Sequence, residues 1–307
     1  MKKLWVEEYR PQTIDQYVFQ NEDQKKVVLK WLEEGIIPHL LFSGSPGTGK
    51  TTLAKVLIND LKVLEYDVLT INASRTNSVE NVRDKIVSFA STMPFGDFKV
   101  VLLDEADYLS HNAQAALRGV MEEYSTTTRF ILTCNYPNKI IPAIHSRCQD
   151  FHIEKLDQTE FATKVAEILL DKEIEFTLET LDVYIKATYP DLRKCINLLE
   201  KNSIEKRLVL PNESDSAVKD YRLECVNLIK QGKIREARQL LCSQARSDEI
   251  EEIFRWMYDN LDLWGETEEE KDKAIIVIRN GLVNHSLVAD TEINLSAIMT
   301  ELAQIEK

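Results

Sequence analysis

The stretch Gly44-Ser45-Pro46-Gly47-Thr48-Gly49-Lys50-Thr51 decides how the chain is read. It fits G-x-x-x-x-G-K-[ST], a loop that wraps phosphate groups. The apolar run Leu40-Leu41-Phe42 comes before it, as a buried strand would. Residues 52–61 follow, with Leu53, Val56, Leu57 and Leu61 at helical spacing. The loop is therefore predicted between a strand and a helix, the setting that separates a phosphate site from a chance Gly-rich turn. The residue types suit that chemistry. Glycines let backbone N–H groups close around phosphate oxygens, and the new helix adds its positive N-terminal end. Lys50 brings a mobile ammonium charge, and Thr51 a hydroxyl suited to Mg²⁺.

The next signals lie downstream. Tyr66-Asp67-Val68-Leu69-Thr70-Ile71-Asn72 is predicted as a strand. Ser78 stands where it can cap a helix carrying Val79, Val82, Ile86, Phe89 and Ala90, which ends by Pro94. Lys99-Val100-Val101-Leu102-Leu103-Asp104-Glu105 runs four apolar residues into two carboxylates. In a parallel sheet the C-terminal strand ends open at the ligand crevice. Asp104 there would orient Mg²⁺ or its water, and Glu105 would polarise an attacking water. Two solvated acids at a strand end are the plainer alternative. Residues 112–123 are predicted helical, with Ala116, Leu117, Val120 and Met121 inward. Arg129-Phe130-Ile131-Leu132-Thr133-Cys134-Asn135 reads as a strand that delivers Asn135 to the same edge. Residues 140–147 and Phe151-His152-Ile153 follow. Before the loop, residues 5–11 read as extended, because Pro11 biases Arg10 away from helix. Residues 21–33 read as an amphipathic helix, with Val27, Val28, Trp31 and Leu32 on one side. Alternating strands and helices predict an α/β fold with a parallel sheet.

Past residue 153 the strand pattern nearly stops. Residues 158–171, 178–189 and 191–206 are predicted as helices. Pro211, Asn212, Ser214 and Ser216 make 208–216 the best linker. A second helical set covers 217–231, 233–244, 249–263, 268–284 and 291–307. The expected domains are 1–153, 154–212 and 213–307. A composition of 44% hydrophobic and 29% charged residues reads as soluble and globular. No apolar run approaches a membrane span. Glu7 and Glu8 turn the N-terminus acidic too early for a secretory signal. Five cysteines with no C-x-x-C pair point to reduced thiols and a cytoplasmic setting, that of the host if the chain is viral. The net charge is −13. Residues 1–150 hold 17 Lys and Arg against 19 Asp and Glu, and the remainder 21 against 32. Any nucleic-acid contact is therefore expected to be local and in the first half.

Taken together, several motifs resemble the sliding-clamp loader ATPases of the AAA+ superfamily. These are Glu8-Tyr9-Arg10-Pro11, the phosphate loop, Asp104-Glu105-Ala106-Asp107, Thr133-Cys134-Asn135, His145-Ser146-Arg147-Cys148 and Pro190-Asp191-Leu192-Arg193-Lys194. The relatives are the small subunits of archaeal and eukaryotic replication factor C and the large subunit of T-even-like phage clamp loaders. Pro-Asp-Leu-Arg, where cellular members usually have Gly-Asp, leans toward the phage branch. The resemblance implies an AAA+ P-loop ATPase domain with a parallel sheet, a small helical lid domain and an all-helical collar domain. It implies ATP and Mg²⁺ as cofactors. Gly47, Thr48, Gly49, Lys50, Thr51 and Thr52 would hold the phosphates. Thr51 would hold Mg²⁺, and Asp104 would do so through water. Val6, Glu7, Glu8, Tyr9 and Val18 would surround the adenine. Glu105 would activate water, Asn135 resembles sensor 1, and Arg193 at the start of a lid helix resembles sensor 2. Arg147 would act in trans on a neighbouring subunit's γ-phosphate, which would make a monomer a poor ATPase.

The resemblance also implies two surfaces. Ile86, Phe89, Met93 and Phe95, at the end of the helix after Ser78, would meet the clamp, although core packing is the plainer reading of Ile86. Arg75, Asn77, Ser78, Arg83, His111, Asn112 and Gln114, at two helix N-termini, would track a duplex backbone. Helix N-termini bind phosphates without strong positive charge. The implied activity is DNA- and clamp-stimulated ATP hydrolysis that opens a polymerase processivity clamp and places it on primer–template DNA. The implied partners are the sliding clamp, primer–template DNA, copies of this chain and an unlike fifth subunit in a pentamer. DNA polymerase would be served indirectly, and no membrane is involved. Two other readings stay open. One is another AAA+ DNA motor, such as a branch-migration helicase, against which Ser146-Arg147-Cys148 speaks. The other is a non-hydrolysing scaffold subunit, against which Lys50 and Glu105 speak.

Overall fold

The chain opens with a single helical turn, α1 (Trp5–Glu8), where the sequence predicts an extended segment. Pro11 restricts only the residue before it, so residues 5–8 are free to close a turn. This computed structural model describes residues 3–75, 79–210, 221–245, 249–285 and 287–305. It divides into two units, Glu7–Asp157 and Met1–Val6 with Gln158–Lys307.

In the first unit, α2 (Glu22–Glu34) starts at Asn21, whose side chain accepts from the N–H groups of Asp23 and Gln24 at 2.9 and 3.3 Å. The elements that follow are β1 (Leu40–Ser43), α3 (Lys50–Asp60), β2 (Val68–Asn72) and α4 (Val79–Ala90). Next come β3 (Lys99–Asp104), α5 (His111–Glu123), β4 (Thr128–Cys134), α6 (Pro142–His145) and β5 (Gln149–His152). The sheet is parallel, in the order β2-β3-β4-β1-β5. Side chains alternate across it. Leu41, Val101, Leu103, Phe130 and Leu132 pack with Ile86, Leu117, Val120 and Met121 of α4 and α5. Leu40, Phe42, Val100, Leu102 and Ile131 pack with Leu53, Ala54, Val56 and Leu57 of α3 and with Val28 and Trp31 of α2. Burial on both faces explains why β1 and β3 read as continuous apolar runs rather than alternating ones.

The second unit holds α7 (Gln158–Asp171), α8 (Leu178–Thr188) and α9 (Leu192–Asn202). The helix predicted over 191–206 stops at Asn202. A short antiparallel pair, β6 (Ser203–Ile204) and β7 (Arg207–Leu208), follows. Glu205 and Lys206 form its turn with φ of 49° and 63°. Two consecutive left-handed residues match the twist of a two-residue hairpin. Then come α10 (Tyr221–Lys230), α11 (Ile234–Gln244), α12 (Ile250–Asp259), α13 (Glu268–His285) and α14 (Thr291–Leu302). Buried Trp256 and Trp264 donate their indole N–H groups to the carbonyls of Lys186 and Met257, at 2.8 and 3.1 Å. Part of the expected 208–216 linker, and Asn77 and Ser78, lie outside the described residues. No helix among the described residues is long and apolar enough to cross a membrane.

Candidate nucleotide site and flanking surfaces

The C-terminal ends of β1, β3 and β4 meet the N-terminus of α3. Gly44 and Gly49 shape the loop there. Gly44 has φ of 149°, and a Cβ on it would overlap the carbonyl of Ile153. Gly49 has φ of 96°, and its Cβ would lie 3.2 Å from the ring of Tyr17. Only glycine fits both positions without displacing a neighbour. Thr48 Oγ1 braces the loop by donating to the Ser45 carbonyl at 2.9 Å. Lys50 is buried, and its Nζ donates to the carbonyls of Gly44 and Ser45 at 2.9 and 2.6 Å.

Carboxylates and hydroxyls join in one path beside the loop. Asp104 Oδ1 accepts from Thr51 Oγ1 at 2.7 Å and from Thr133 Oγ1 at 2.6 Å. The Glu105 N–H donates to Thr133 Oγ1 at 3.0 Å. Glu105 is half-buried and left-handed, with φ of 59° and ψ of 44°. Asn135, at the end of β4, is half-buried. Its N–H and that of Tyr136 reach Asp107 Oδ2 at 3.3 Å. Burial pushes the Cys134 thiol up to about 12, with Asp107 adding to the rise, so this thiol is inert at neutral pH. Thr51 and Asp104 offer hard oxygen donors side by side, which suits Mg²⁺ completed by water and nucleotide phosphates. Among the described residues there is no group of three or more His, Cys, Asp or Glu side chains arranged to hold a metal ion on its own.

The N-terminal strip of this unit is tied along α3. Arg10 Nε reaches Thr52 Oγ1 at 3.4 Å. Asn59 donates to the Gln12 carbonyl at 2.9 Å, and the Ile14 N–H donates to Asp60 at 2.7 Å. Tyr9 is half-buried, whereas Glu7, Glu8 and Val18 are exposed. Tyr17, against Gly49, was not singled out by sequence reasoning, because an aromatic beside Val18 and Phe19 reads as ordinary core. Burial raises its phenol well above the usual range. In the second unit, Val6 is half-buried, and Arg193 is exposed on the first turn of α9, which Asp191 caps by accepting from the Lys194 N–H at 3.0 Å.

Arg147 has partners in its own chain, none of them in the phosphate site. Its Nε donates to Glu122 Oε1 at 2.8 Å, and Nη2 bonds the same oxygen. Nη1 donates to the Ala143 carbonyl and to Ser146 Oγ at 2.7 and 3.1 Å. The hydrogen bond from Arg147 holds the Glu122 carboxyl below its usual range. Two residues earlier, His145 Nδ1 lies 2.8 Å from Asp150 Oδ2, and Nε2 lies 3.1 Å from the Pro137 carbonyl. Partial burial works against the charged ring, but these two acceptors outweigh it and raise the pKa.

The structure corrects two surface expectations. Gln114 is 1% exposed. Its side-chain N–H₂ donates to the carbonyls of Leu109 and Lys139, both at 3.0 Å, and its oxygen accepts from the Ile141 N–H at 2.8 Å. It is a buried brace between two loops and cannot reach a duplex. Ile86 is equally buried and belongs to the core under α4, so it is not a clamp contact. Phe89 packs against that core, with Lys99 Nζ 4.6 Å from its ring centroid. Met93 and Phe95 stand out at 79% and 78% exposure. Tyr66, unmarked in the sequence, is 80% exposed, and its ring centroid lies 6.0 Å from that of Phe95. Arg75, Arg83, His111 and Asn112 are exposed. Ser110 caps α5 by accepting from the Ala113 N–H at 3.3 Å.

The family model described as "ATPase family associated with various cellular activities (AAA)" matches residues 40–156, the stretch that holds the phosphate loop, Asp104, Glu105 and Asn135. The first unit is thus a P-loop ATPase domain of the AAA class. Among solved structures, the RuvB Holliday junction branch migration motor of Thermotoga maritima superposes with a TM-score of 0.58 over 81% of this chain and 90% of its own. At 16% identity it shares the fold alone. The replication factor C small subunit of Methanococcus vannielii is 36% identical across the whole of both chains. That of Saccharolobus solfataricus is 37% identical over 98% of this chain and 94% of its own. The chain belongs to the replication factor C small-subunit family.

Proposed function

We propose that this chain is an ATP-hydrolysing subunit of a sliding-clamp loader, which opens a polymerase processivity clamp and places it on primer–template DNA. One observation carries the reading. Lys50, Thr51, Asp104 and Glu105 form a connected site, while Arg147 is bonded to Glu122, Ala143 and Ser146 outside it. An arginine held on a different face suits action on the next subunit's nucleotide. Such a finger contributes about 10³–10⁵ in rate where it has been measured.

In this reading Lys50 and the loop N–H groups bind the phosphates, and Glu105 takes up the proton of the attacking water. Asn135, its backbone held by Asp107, orients that water or the γ-phosphate. Thr51, and Asp104 through water, would hold Mg²⁺, which when bound would neutralise phosphate charge. Tyr9, with Glu7, Glu8 and Val18, borders the adenine, and Val6 and Arg193 keep the nucleotide-binding roles that the resemblance implies. Copies of this chain and an unlike fifth subunit make up a pentamer, with 154–212 as lid and 213–307 as collar. Met93 and Phe95, joined by Tyr66, meet the clamp. Arg75, Arg83, His111 and Asn112 follow DNA phosphates, an interaction that weakens steeply with salt. The Pro190-Asp191-Leu192-Arg193 motif fits a phage origin.

The test is the ATPase rate with and without primed DNA and the cognate clamp. Stimulation that needs both is expected, and a rate indifferent to the clamp sinks the reading. Arg147→Ala is expected to remove turnover while ATP binding stays within about two-fold.

A further inference from the structure

β4 carries a hydroxyl that its own pattern does not call for. Ile131 packs on the α3 side of the sheet with Leu53 and Leu57, and Leu132 and Cys134 pack on the other side with Leu117 and Met121. By the same alternation position 133 returns to the α3 side, where β1 and β3 present apolar residues. Thr133 stands there at 1% exposure. Valine has its shape and no polar atom, whereas a buried hydroxyl is tolerated only when it is bonded. Thr133 Oγ1 uses both its capacities. It donates to Asp104 Oδ1 at 2.6 Å and accepts the Glu105 N–H at 3.0 Å. Thr51 bonds the same Asp104 oxygen. Glu105 is left-handed, a conformation that a non-glycine residue keeps only when its surroundings impose it.

We propose that Thr133 is a positioning residue for ATP hydrolysis. Its single hydroxyl fixes the carboxylate of Asp104 beside Thr51. The same hydroxyl pins the backbone of Glu105, and so sets the direction in which the glutamate side chain leaves β3. Metal ligand and water-activating group are thereby held in register by one atom of a neighbouring strand. The proposal rests on the ATPase reading above.

The experiment uses the full-length chain with Thr133→Val, which removes the hydroxyl, and Thr133→Ser, which restores it. The first readout is equilibrium binding of ATP in EDTA and in Mg²⁺, taken as the factor by which Mg²⁺ tightens binding. Thr133→Val is expected to lose about 10-fold or more of that factor, with affinity in EDTA changed by less than about two-fold. Thr133→Ser is expected to recover it. The second readout is steady-state hydrolysis with primed DNA and clamp. Here Thr133→Val lowers kcat about 10–100-fold with KM nearly unchanged. A valine variant that keeps the full Mg²⁺ factor overturns the proposal. An equal loss of affinity in EDTA and in Mg²⁺ also overturns it, because that marks a collapsed pocket. Thr133→Ala serves in its place if the valine variant does not fold. If the unsubstituted chain, assembled with its companion subunits, primed DNA and clamp, binds ATP but never hydrolyses it, the clamp-loader reading fails, and the Mg²⁺ factor still tests Thr133.

Discussion

The two ends of β3 use charge in opposite ways. At the C-terminal end Asp104 and Glu105 are half-buried and lie beside a phosphate loop. At the N-terminal end Lys99 is buried, with Nζ donating to the Phe89 carbonyl at 2.7 Å and bonded to Thr92. Asp67, at the start of neighbouring β2, is fully buried. Its carboxylate accepts from the N–H groups of Phe95, at 2.9 and 3.0 Å, and Gly96, at 2.7 Å. Both buried charges are consumed by the turn that joins α4 to β3, and that turn displays Met93 and Phe95. In the proposed reading one end keeps its charge to act on a ligand, while the other spends charge on backbone to hold an apolar surface in shape. Charge substitutions should damage chemistry at the first end and folding at the second.

The largest test of that contrast is Glu105→Gln. Removal of a general base is expected to lower hydrolysis by about 10²–10⁴ while the midpoint of urea unfolding stays in place. A normal single-turnover rate in this variant breaks the comparison. At the other end, Asp67→Ala leaves two backbone N–H groups without their acceptor and is expected to destabilise the fold by about 2 kcal/mol in urea titrations. Met93→Ser with Phe95→Ser, on the same turn, should move stability by no more than about 0.5 kcal/mol. Its expected effect is weaker capture of the clamp in a pull-down with purified components. If the serine pair unfolds the protein and Asp67→Ala does not, the assignment of roles is reversed.

The smallest effect concerns the turn that carries Arg147. His145 bonds two acceptors, which favour its charged ring over burial and raise its folded pKa above the unfolded value of about 6.5. A raised pKa gives stability that is full below about 6.5 and is lost as pH climbs through the folded value. The unfolding free energy of the native chain minus that of His145→Gln should shrink between pH 6 and pH 9. Solvent screening keeps the whole difference below about 1 kcal/mol. A difference that grows with pH contradicts the arrangement.

Much of the first unit was legible because its strands are buried on both faces. Leu40-Leu41-Phe42 and Val100-Val101-Leu102-Leu103 have no polar position to confuse the pattern. The phosphate loop sits where those runs place it, and Asp104 and Glu105 follow from it. The β6–β7 hairpin was not legible, since Glu205-Lys206 adopts left-handed backbone without the Asn-Gly pair that announces such turns. Gln114 misled for a different reason. A polar residue near a helix N-terminus reads as surface unless the backbone groups it must satisfy are known, and the carbonyls of Leu109 and Lys139 and the N–H of Ile141 come together only in the fold. Thr133 was visible as part of a motif, but β-branched threonine is common in strands. Only its contacts with Asp104 Oδ1 and the Glu105 N–H distinguish it. Tyr66 and Phe95 are 29 positions apart, so no periodicity joins them.

Glu105 has one more consequence. Its left-handed backbone costs a glutamate about 1 kcal/mol, and asparagine or glycine would occupy the same conformation more readily. Random substitution followed by selection for folding alone therefore pushes this position away from glutamate. A lineage whose assembly can spare hydrolysis in one subunit can drop the residue and lose nothing in its fold. If Glu105 activates water as proposed, loss of hydrolysis would be the downhill direction for this position in stability alone, and a catalytic glutamate would stand against that gradient.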